Sequence, residues 1–170
     1  MRRSFAALTL TGVGLVTTAF ASPVHAAADV ITVQVTSRTM FVVGTPGADV
    51  INITPLGGKI SVGVGSSVTA GPGCVKVGPT VVDCTGTGSG IQFIEVSTIG
   101  GDDSVNNQTS VQSSMLGGSG IDRLTGGPGR DALNGGSGDD VLTGKGDIDV
   151  ANGAGGFDTC SAETESSCEQ

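Results

Sequence analysis

The stretch from Gly117 to Ser161 reads GGSGIDRLT GGPGRDALN GGSGDDVLT GKGDIDVAN GAGGFDTCS, which is five consecutive units of nine residues. Position 8 of the units holds Leu124, Leu133, Leu142, Ala151 and Cys160. A period that keeps glycine, acid and apolar residue in phase is typical of a repeat architecture. The position-1 glycines are Gly117, Gly126, Gly135, Gly144 and Gly153, and the position-6 aspartates are Asp122, Asp131, Asp140, Asp149 and Asp158.

The spacing of these residues suits a metal-binding turn. Glycines let the backbone adopt positive φ and turn tightly, which aims carbonyl oxygens at one point. Calcium prefers about six to eight oxygen ligands and accepts both carboxylates and carbonyls. Positions 7–9 are predicted to form a short strand whose apolar residue at position 8 points inward. A single unit cannot bury that strand, but stacked units can.

The units resemble GGxGxDxUx, the nonapeptide of the RTX, or haemolysin-type, calcium-binding proteins. The resemblance implies a parallel β-roll in which two units make one right-handed turn and each Ca²⁺ is shared by units n and n+2. It implies about three sites in the array, in which Asp122 faces Asp140, Asp131 faces Asp149, and Asp140 also faces Asp158.

The fourth unit departs from the family pattern, because Lys145 and Asp147 replace the glycines of positions 2 and 4. The Asp131/Asp149 pair is therefore the weakest match. Unit five departs less, with Ala154 at position 2. The alternative is that glycine-rich sequence with scattered aspartates is a flexible linker. Five units with their apolar residues also in phase favour the calcium-binding roll.

Residues 1–26 are predicted to be a secretory signal. Arg2 and Arg3 precede an apolar run, and small residues before Ala26 form a cleavage site, with Ala28 as a variant. The alternative, a membrane anchor, is disfavoured because Pro23 ends the run. No later segment offers the 18 or so apolar residues of a membrane span. The mature protein is therefore expected to be secreted and to have no membrane partner.

Residues 27–98 are predicted to be a β-rich region, since Val, Ile and Thr alternate with polar residues between turn sequences. No helical periodicity appears, so the whole chain is predicted to be all-β. Whether this region continues the solenoid of residues 99–161 is left open. The predicted strands are Val30–Thr36, Thr39–Val43, Val50–Thr54, Lys59–Val64, Val75–Val77, Thr80–Val82 and Ile91–Ile99.

Two segments before the array echo the repeat. GTPGADVIN, residues 44–52, places Asp49 at position 6, and the GGDD sequence at 100–103 ends in Asp102 and Asp103. Asp103 precedes Asp122 by 19 residues, which is two units plus one insertion. Asp103 is a weaker candidate ligand for one more ion at the entrance of the roll. For Asp49, a plain turn aspartate is the favoured alternative to a weak metal ligand.

The four cysteines are expected to form disulfides, as in exported chains generally. Three pairings are open, and the two local pairs, Cys74–Cys84 and Cys160–Cys168, are favoured. The second pair would tie residues 162–170 to the last unit as a cap, which an open solenoid end requires. A zinc site is disfavoured because the chain lacks CxxC spacing.

Charge and composition limit the function. Loss of Arg2 and Arg3 with the signal would leave six basic against 16 acidic residues, a net charge of −10, which argues against nucleic acid as a partner. The only histidine, His25, would also be removed, so no enzyme is expected. The predicted function is secreted calcium binding. The alternative is a calcium-stabilised module that binds polysaccharide or serves adhesion or structure at a cell surface.

Overall fold

The computed structural model describes residues 30–86 and 90–169 of the 170-residue chain. Within these ranges the chain forms sixteen β-strands and no helix, which confirms the all-β prediction. The predicted signal, residues 1–26, lies outside the described residues. Among the described residues there is no helix of the length and apolarity that crossing a membrane requires.

The strands form two sheets of eight. In chain order they are β1 (Val30–Thr36), β2 (Thr39–Val43), β3 (Val50–Leu56), β4 (Lys59–Val64), β5 (Ser67–Ala70), β6 (Cys74–Lys76), β7 (Val81–Cys84), β8 (Phe93–Ser97), β9 (Ser104–Asn107), β10 (Ser113–Ser119), β11 (Arg123–Thr125), β12 (Asp131–Ser137), β13 (Val141–Thr143), β14 (Val150–Gly155), β15 (Thr159–Ser161) and β16 (Thr164–Ser166). The first sheet has the order β16-β14-β12-β10-β8-β2-β1-β5, and the second has the order β15-β13-β11-β9-β3-β4-β7-β6.

From β8 onward the chain alternates between the two sheets and coils into a parallel β-roll. Ser113 of β10 pairs with Asp131 of β12 in the first sheet, and Arg123 of β11 pairs with Val141 of β13 in the second. Each partner lies two nine-residue units further along the chain. The implied stacking of units n and n+2 is therefore confirmed, as is the β-roll itself.

The core of the roll is narrow. In the three-residue strands only the central side chain points inward, because successive side chains alternate between the faces of a strand. From β9 onward, each coil of the roll therefore buries one apolar residue in each sheet; we call one such layer a rung. The prediction that the residue at position 8 points inward is confirmed for the first four units, and Cys160 of the fifth is only partly buried. The buried apolar side chains from β9 onward are Val105, Met115, Leu124, Leu133, Leu142 and Ala151.

The β-rich region before the array is stacked onto the same coils. Strand β2 pairs in parallel with β8, and β3 pairs in parallel with β9, so pairing continues without a break across residue 98. The hairpins β1–β2 and β3–β4 then widen both sheets with antiparallel pairs. This end has the larger core, because its longer strands each bury two or three apolar side chains.

Several predicted strand boundaries were wrong. Residues Pro55 and Leu56 extend β3 instead of forming a turn, because its pairing with β9 ends at Ile53 and the missing amide of Pro55 breaks no parallel pair. Strand β8 ends at Ser97, since Ile99 adopts φ 76° in the following turn. Strands β6 and β7 are displaced by one or two residues from their predicted positions. Strand β5 was missed because Val68 is its only strongly apolar residue.

The two predicted disulfides are confirmed. Cys74 and Cys84 lie opposite each other on β6 and β7, with their Cα atoms 4.0 Å apart. Cys160 on β15 is joined to Cys168 beyond β16, with a Cα separation of 5.8 Å. No cysteine is left free, which indicates an oxidising compartment during folding.

Candidate metal centre

The turns of the roll collect at two edges. At the first edge, the chain passes from a strand of the first sheet to a strand of the second sheet. At the second edge, it passes from the second sheet back to the first. The first edge contains the turns at residues 44–49, 98–103, 120–122, 138–140 and 156–158, and the second contains those at 108–112, 126–130 and 144–149.

The position-6 aspartates of the first edge form one continuous column. In each step, the backbone N–H of one aspartate donates to Oδ1 of the aspartate in the next coil. The four N–H to Oδ1 distances are 2.7 Å from Asp49 to Asp103, 2.9 Å from Asp103 to Asp122, 2.8 Å from Asp122 to Asp140, and 2.9 Å from Asp140 to Asp158. Asp140 therefore stacks on Asp122 and on Asp158 as the resemblance implies, and Asp49 and Asp103 extend the column.

The second carboxylate oxygen of most of these aspartates has no partner. Oδ2 is buried and accepts no hydrogen bond in Asp103, Asp122, Asp140 and Asp158. Each of these residues is at most 2% exposed. A buried carboxylate oxygen without a hydrogen-bond donor destabilises the fold, because its hydrogen bonds to water are lost and not replaced. A bound cation would remove that cost.

Glycine at position 1 creates the space beside these oxygens. The position that a Cβ on Gly117 would occupy is bordered by Asp122 Oδ2 and by the carbonyl oxygen of Gly135, one coil further on. The same arrangement surrounds Gly126, with Asp131 Oδ2 and the Gly144 carbonyl. Carboxylate and carbonyl oxygens are the ligands that calcium prefers, so the converging atoms fit this ion.

Replacing Gly135 by alanine is expected to damage the site at Asp140, because the new Cβ would overlap Asp140 Oδ2. Relieving such an overlap typically costs about 1–3 kcal/mol. We expect a lower melting temperature in calcium and weaker calcium binding, measured by thermal unfolding and calorimetric titration. Gly155→Ala is the matched control, since its Cβ would lie 3.7 Å from the nearest atom, the Gly136 carbonyl oxygen. Equal effects of the two changes would contradict this account of position 1.

The second edge offers fewer free oxygens. Asp131 N–H donates to Asp149 Oδ1 at 2.8 Å, so this pair also stacks. Both oxygens of Asp131 already accept hydrogen bonds, one from the Ser113 hydroxyl and one from Gly127 N–H. Only Oδ2 of Asp149 is buried without a partner. The pair predicted to be the weakest match therefore also presents the fewest unpartnered oxygens.

The departures of unit four from the repeat carry backbone strain. Lys145 and Asp147, which replace glycines, adopt φ values of 87° and 70°. Residues other than glycine are disfavoured in this left-handed region of backbone conformation. Ala154 in unit five is in the same situation, with φ 73°. The turns thus keep a glycine-like conformation even where the sequence no longer provides glycine.

At the entrance of the roll, the two weaker candidates differ from each other. Both oxygens of Asp49 accept hydrogen bonds from Thr45, one from its N–H at 2.6 Å and one from its hydroxyl at 3.1 Å. Asp103 keeps an unpartnered oxygen, but Thr98 occupies position 1 of its turn and donates its hydroxyl to the Gly117 carbonyl at 2.7 Å. Asp49 thus resembles a turn aspartate, and ligation by Asp103 stays a prediction.

Burial disfavours the charged form of five of the stacked carboxylates, those of Asp103, Asp122, Asp131, Asp140 and Asp149. Desolvation raises the pKa of Asp103 and of Asp140 to about 6. Desolvation also raises the pKa values of Asp122, Asp131 and Asp149, while hydrogen bonds from the backbone oppose the shift. Neighbouring carboxylates add to it, as Asp158 and Asp139 do for Asp140.

Acid is expected to stabilise the metal-free roll. A carboxyl whose folded pKa lies above its unfolded pKa, about 3.9, contributes stability that is fully present below the unfolded value and lost as pH rises through the folded value, here about 6. In chelator, the β-structure of residues 117–161, followed by circular dichroism, should therefore increase as pH falls from about 7 to about 4.5. In calcium the trend should reverse below about pH 6, because protons compete for the same oxygens. More β-structure at neutral pH than at pH 4.5 in chelator would contradict this.

Two glutamates that the sequence analysis did not single out complete the columns. Asp158 N–H donates to Glu169 Oε2 at 2.6 Å on the first edge. Asp149 N–H donates to Glu163 Oε2 at 2.8 Å on the second. These glutamates lie 11 and 14 residues beyond their partners instead of 18, so the period of the repeats could not reveal them.

Comparison with known proteins identifies the repeated segment. Residues 116–151 match the family model of the RTX calcium-binding nonapeptide repeat, in four copies. No curated protein matches the chain, and no solved structure does. The resemblance that the repeated glycines and aspartates suggested is thereby confirmed for this segment.

Proposed function

Since the chain carries RTX calcium-binding nonapeptide repeats, we propose that it is a secreted calcium-binding protein whose repeats bind several Ca²⁺ ions and fold with them. The observation that supports this most directly is the column of buried, unpartnered Oδ2 atoms along the first edge. Each would gain a charged partner from an ion held between stacked turns.

We propose that the array binds three ions, one each at the pairs Asp122/Asp140, Asp140/Asp158 and Asp131/Asp149. Asp140 takes part in two of these sites, because it stacks on Asp122 and on Asp158. The Asp131/Asp149 pair would hold the third. The carbonyl oxygens of the position-1 glycines in the neighbouring coil would add uncharged ligands, as the surroundings of Gly117 and Gly126 suggest.

A role without catalysis is the simplest function for these acids. Their carboxylates lie buried at the turns, where they accept hydrogen bonds from backbone amides of the neighbouring coil. The described residues contain no histidine that could serve as a general base. We therefore propose calcium binding, and not hydrolysis, as the task of the aspartate columns.

Calorimetric calcium titration of the mature protein tests the proposal, with magnesium as the control ion. Magnesium demands a smaller, octahedral site and gives up its water reluctantly, so it should bind much more weakly. Saturable binding of several calcium ions per chain, accompanied by a gain in β-structure, is expected. No heat of binding and no spectral change would refute the proposal. Signal cleavage after Ala26 or Ala28 would be read from the amino terminus of the exported chain.

A further inference from the structure

The tail beyond the last repeat imitates one more coil of the roll. Residues 162–169 follow unit five, and β16 within them pairs in parallel with β14, so that Thr164 lies opposite Val150. The disulfide between Cys160 and Cys168 returns the tail to the first edge. The tail therefore reaches the end of the aspartate column without following the nine-residue period.

Glu169 makes both contacts that a following repeat would make. Within the array, Asp140 N–H donates to the carboxylate of Asp158 at 2.9 Å, and Thr159 N–H donates to the Asp140 carbonyl at 2.8 Å. At the end of the column, Asp158 N–H donates to the carboxylate of Glu169 at 2.6 Å, and Glu169 N–H donates to the Asp158 carbonyl at 2.8 Å. Glu169 thus makes the two contacts that are divided between Asp158 and Thr159 in the preceding coil. The additional methylene of glutamate lets its carboxylate reach back over Asp158.

The tail also supplies the carbonyl that a following glycine would supply. The space of a Cβ on Gly153 is bordered by Asp158 Oδ2 and by the Ser167 carbonyl oxygen. The corresponding space at Gly117 is bordered by Asp122 Oδ2 and the Gly135 carbonyl. Ser167 therefore stands where position 1 of the next coil would stand.

An unpartnered oxygen points to a ligand at this place. Asp158 is 1% exposed, and its Oδ2 is buried without a hydrogen-bond partner. Glu169, by contrast, is exposed, so the end of the column is accessible from solvent. Two carboxylates and a carbonyl meet here, and the described residues place no lysine or arginine in hydrogen-bond contact with either carboxylate.

We propose that Asp158, Glu169 and the Ser167 carbonyl form a terminal calcium site that lies outside the repeats and depends on the Cys160–Cys168 disulfide. The proposal rests on the calcium-binding function proposed above and adds one site to it. The tail is thus a ligand-bearing cap. Reduction of the disulfide would release Glu169 and Ser167 together, because Cys168 lies between them.

The test is the number of calcium ions bound per chain at a fixed, moderate calcium concentration, by equilibrium dialysis of the mature protein. Glu169→Gln keeps an oxygen that can accept from Asp158 N–H but removes the charge. It should lose about one ion per chain, since calcium sites depend strongly on their charged ligands. Glu165→Gln is the matched control, because Glu165 is an exposed tail glutamate that accepts from Ala162 N–H, and it should lose none.

The double variant Cys160→Ser/Cys168→Ser should lose the same ion as Glu169→Gln, and combining the three changes should cause no further loss. If Glu169 is only a structural cap, Glu169→Gln will bind as many ions as the unmodified protein, and the inference is overturned. In that case the array still binds calcium and the proposed function stands. Absence of calcium binding by the unmodified protein would overturn both.

Discussion

In a calcium chelator, residues 117–161 are expected to lose their ordered β-structure, and millimolar calcium is expected to restore it. The roll buries one apolar side chain per rung in each sheet, and its last full rung buries only Ala151 and part of Cys160. Ordering so glycine-rich a backbone costs much conformational entropy. Burial of the unpartnered carboxylate oxygens adds a further cost, which a bound cation removes at neutral pH. At a calcium concentration about 100 times the Kd, one site adds about 2.7 kcal/mol of stability.

The rest of the chain provides the internal control. Residues 30–99 bury several large apolar side chains in longer strands and contain their own disulfide, so they should keep β-structure without calcium. Circular dichroism with and without chelator measures the total change, and limited proteolysis locates it. The first cuts in chelator should fall between Gly117 and Gly156. Identical spectra, or first cuts within 30–99, would show that the array does not depend on calcium.

Replacing Asp140 by alanine is expected to weaken two calcium sites, whereas replacing Asp131 should weaken one. Asp140 stacks on Asp122 in one direction and on Asp158 in the other, and its Oδ2 has no protein partner. Asp131 stacks only on Asp149 among the aspartates, and its oxygens accept from Ser113 and Gly127. Loss of a charged ligand should nearly abolish binding at the sites it serves.

The measurement is bound calcium per chain at one moderate concentration, together with melting temperatures in calcium. Asp140→Ala should bind about two fewer ions than the unmodified protein, and Asp131→Ala about one fewer. The Asp140 variant should also melt lower, because each lost site removes its linked stabilisation. The two variants should behave alike in chelator. Equal losses of calcium would mean that ions do not bridge alternate units.

Much of the roll could be predicted from the nine-residue period. The period determines which residues point inward, since Leu124, Leu133 and Leu142 recur at the spacing of a coil and are all buried. With the coil of two units that the resemblance to the RTX nonapeptide implies, it also predicts that Asp122, Asp140 and Asp158 stack, because residues 18 apart then occupy equivalent places in successive coils. The local disulfides were predictable because the cysteines lie close in sequence as well as in space.

Contacts that break the period could not be predicted. Asp49 N–H donates to Asp103 in the next coil across 54 residues instead of 18, because the hairpin excursions between β3 and β8 leave the coil and return to it. Glu163 and Glu169 reach the columns over shortened paths that no repeat count reveals. Both oxygens of Asp49 accept from Thr45 of the same turn, and those of Asp131 accept from Gly127 of its turn and from Ser113 of β10. These hydrogen bonds distinguish ligand candidates that look equivalent in the sequence.

The sequence by itself determined the all-β class, the inward residues and the aspartates of the array, because each follows from a local pattern repeated in phase. The coil of two units followed from the resemblance to the RTX nonapeptide. Only the tertiary structure decided where the solenoid starts and how it ends. Stacking of β2 on β8 and of β3 on β9 extends the coils before the array, and the disulfide-tied tail closes them with Glu169. The physical reason is that the unpaired strand edges and carboxylates at the ends of a solenoid are satisfied by whichever segment of the chain lies nearby. Such contacts depend on proximity in space, so no repeated pattern in the sequence predicts them.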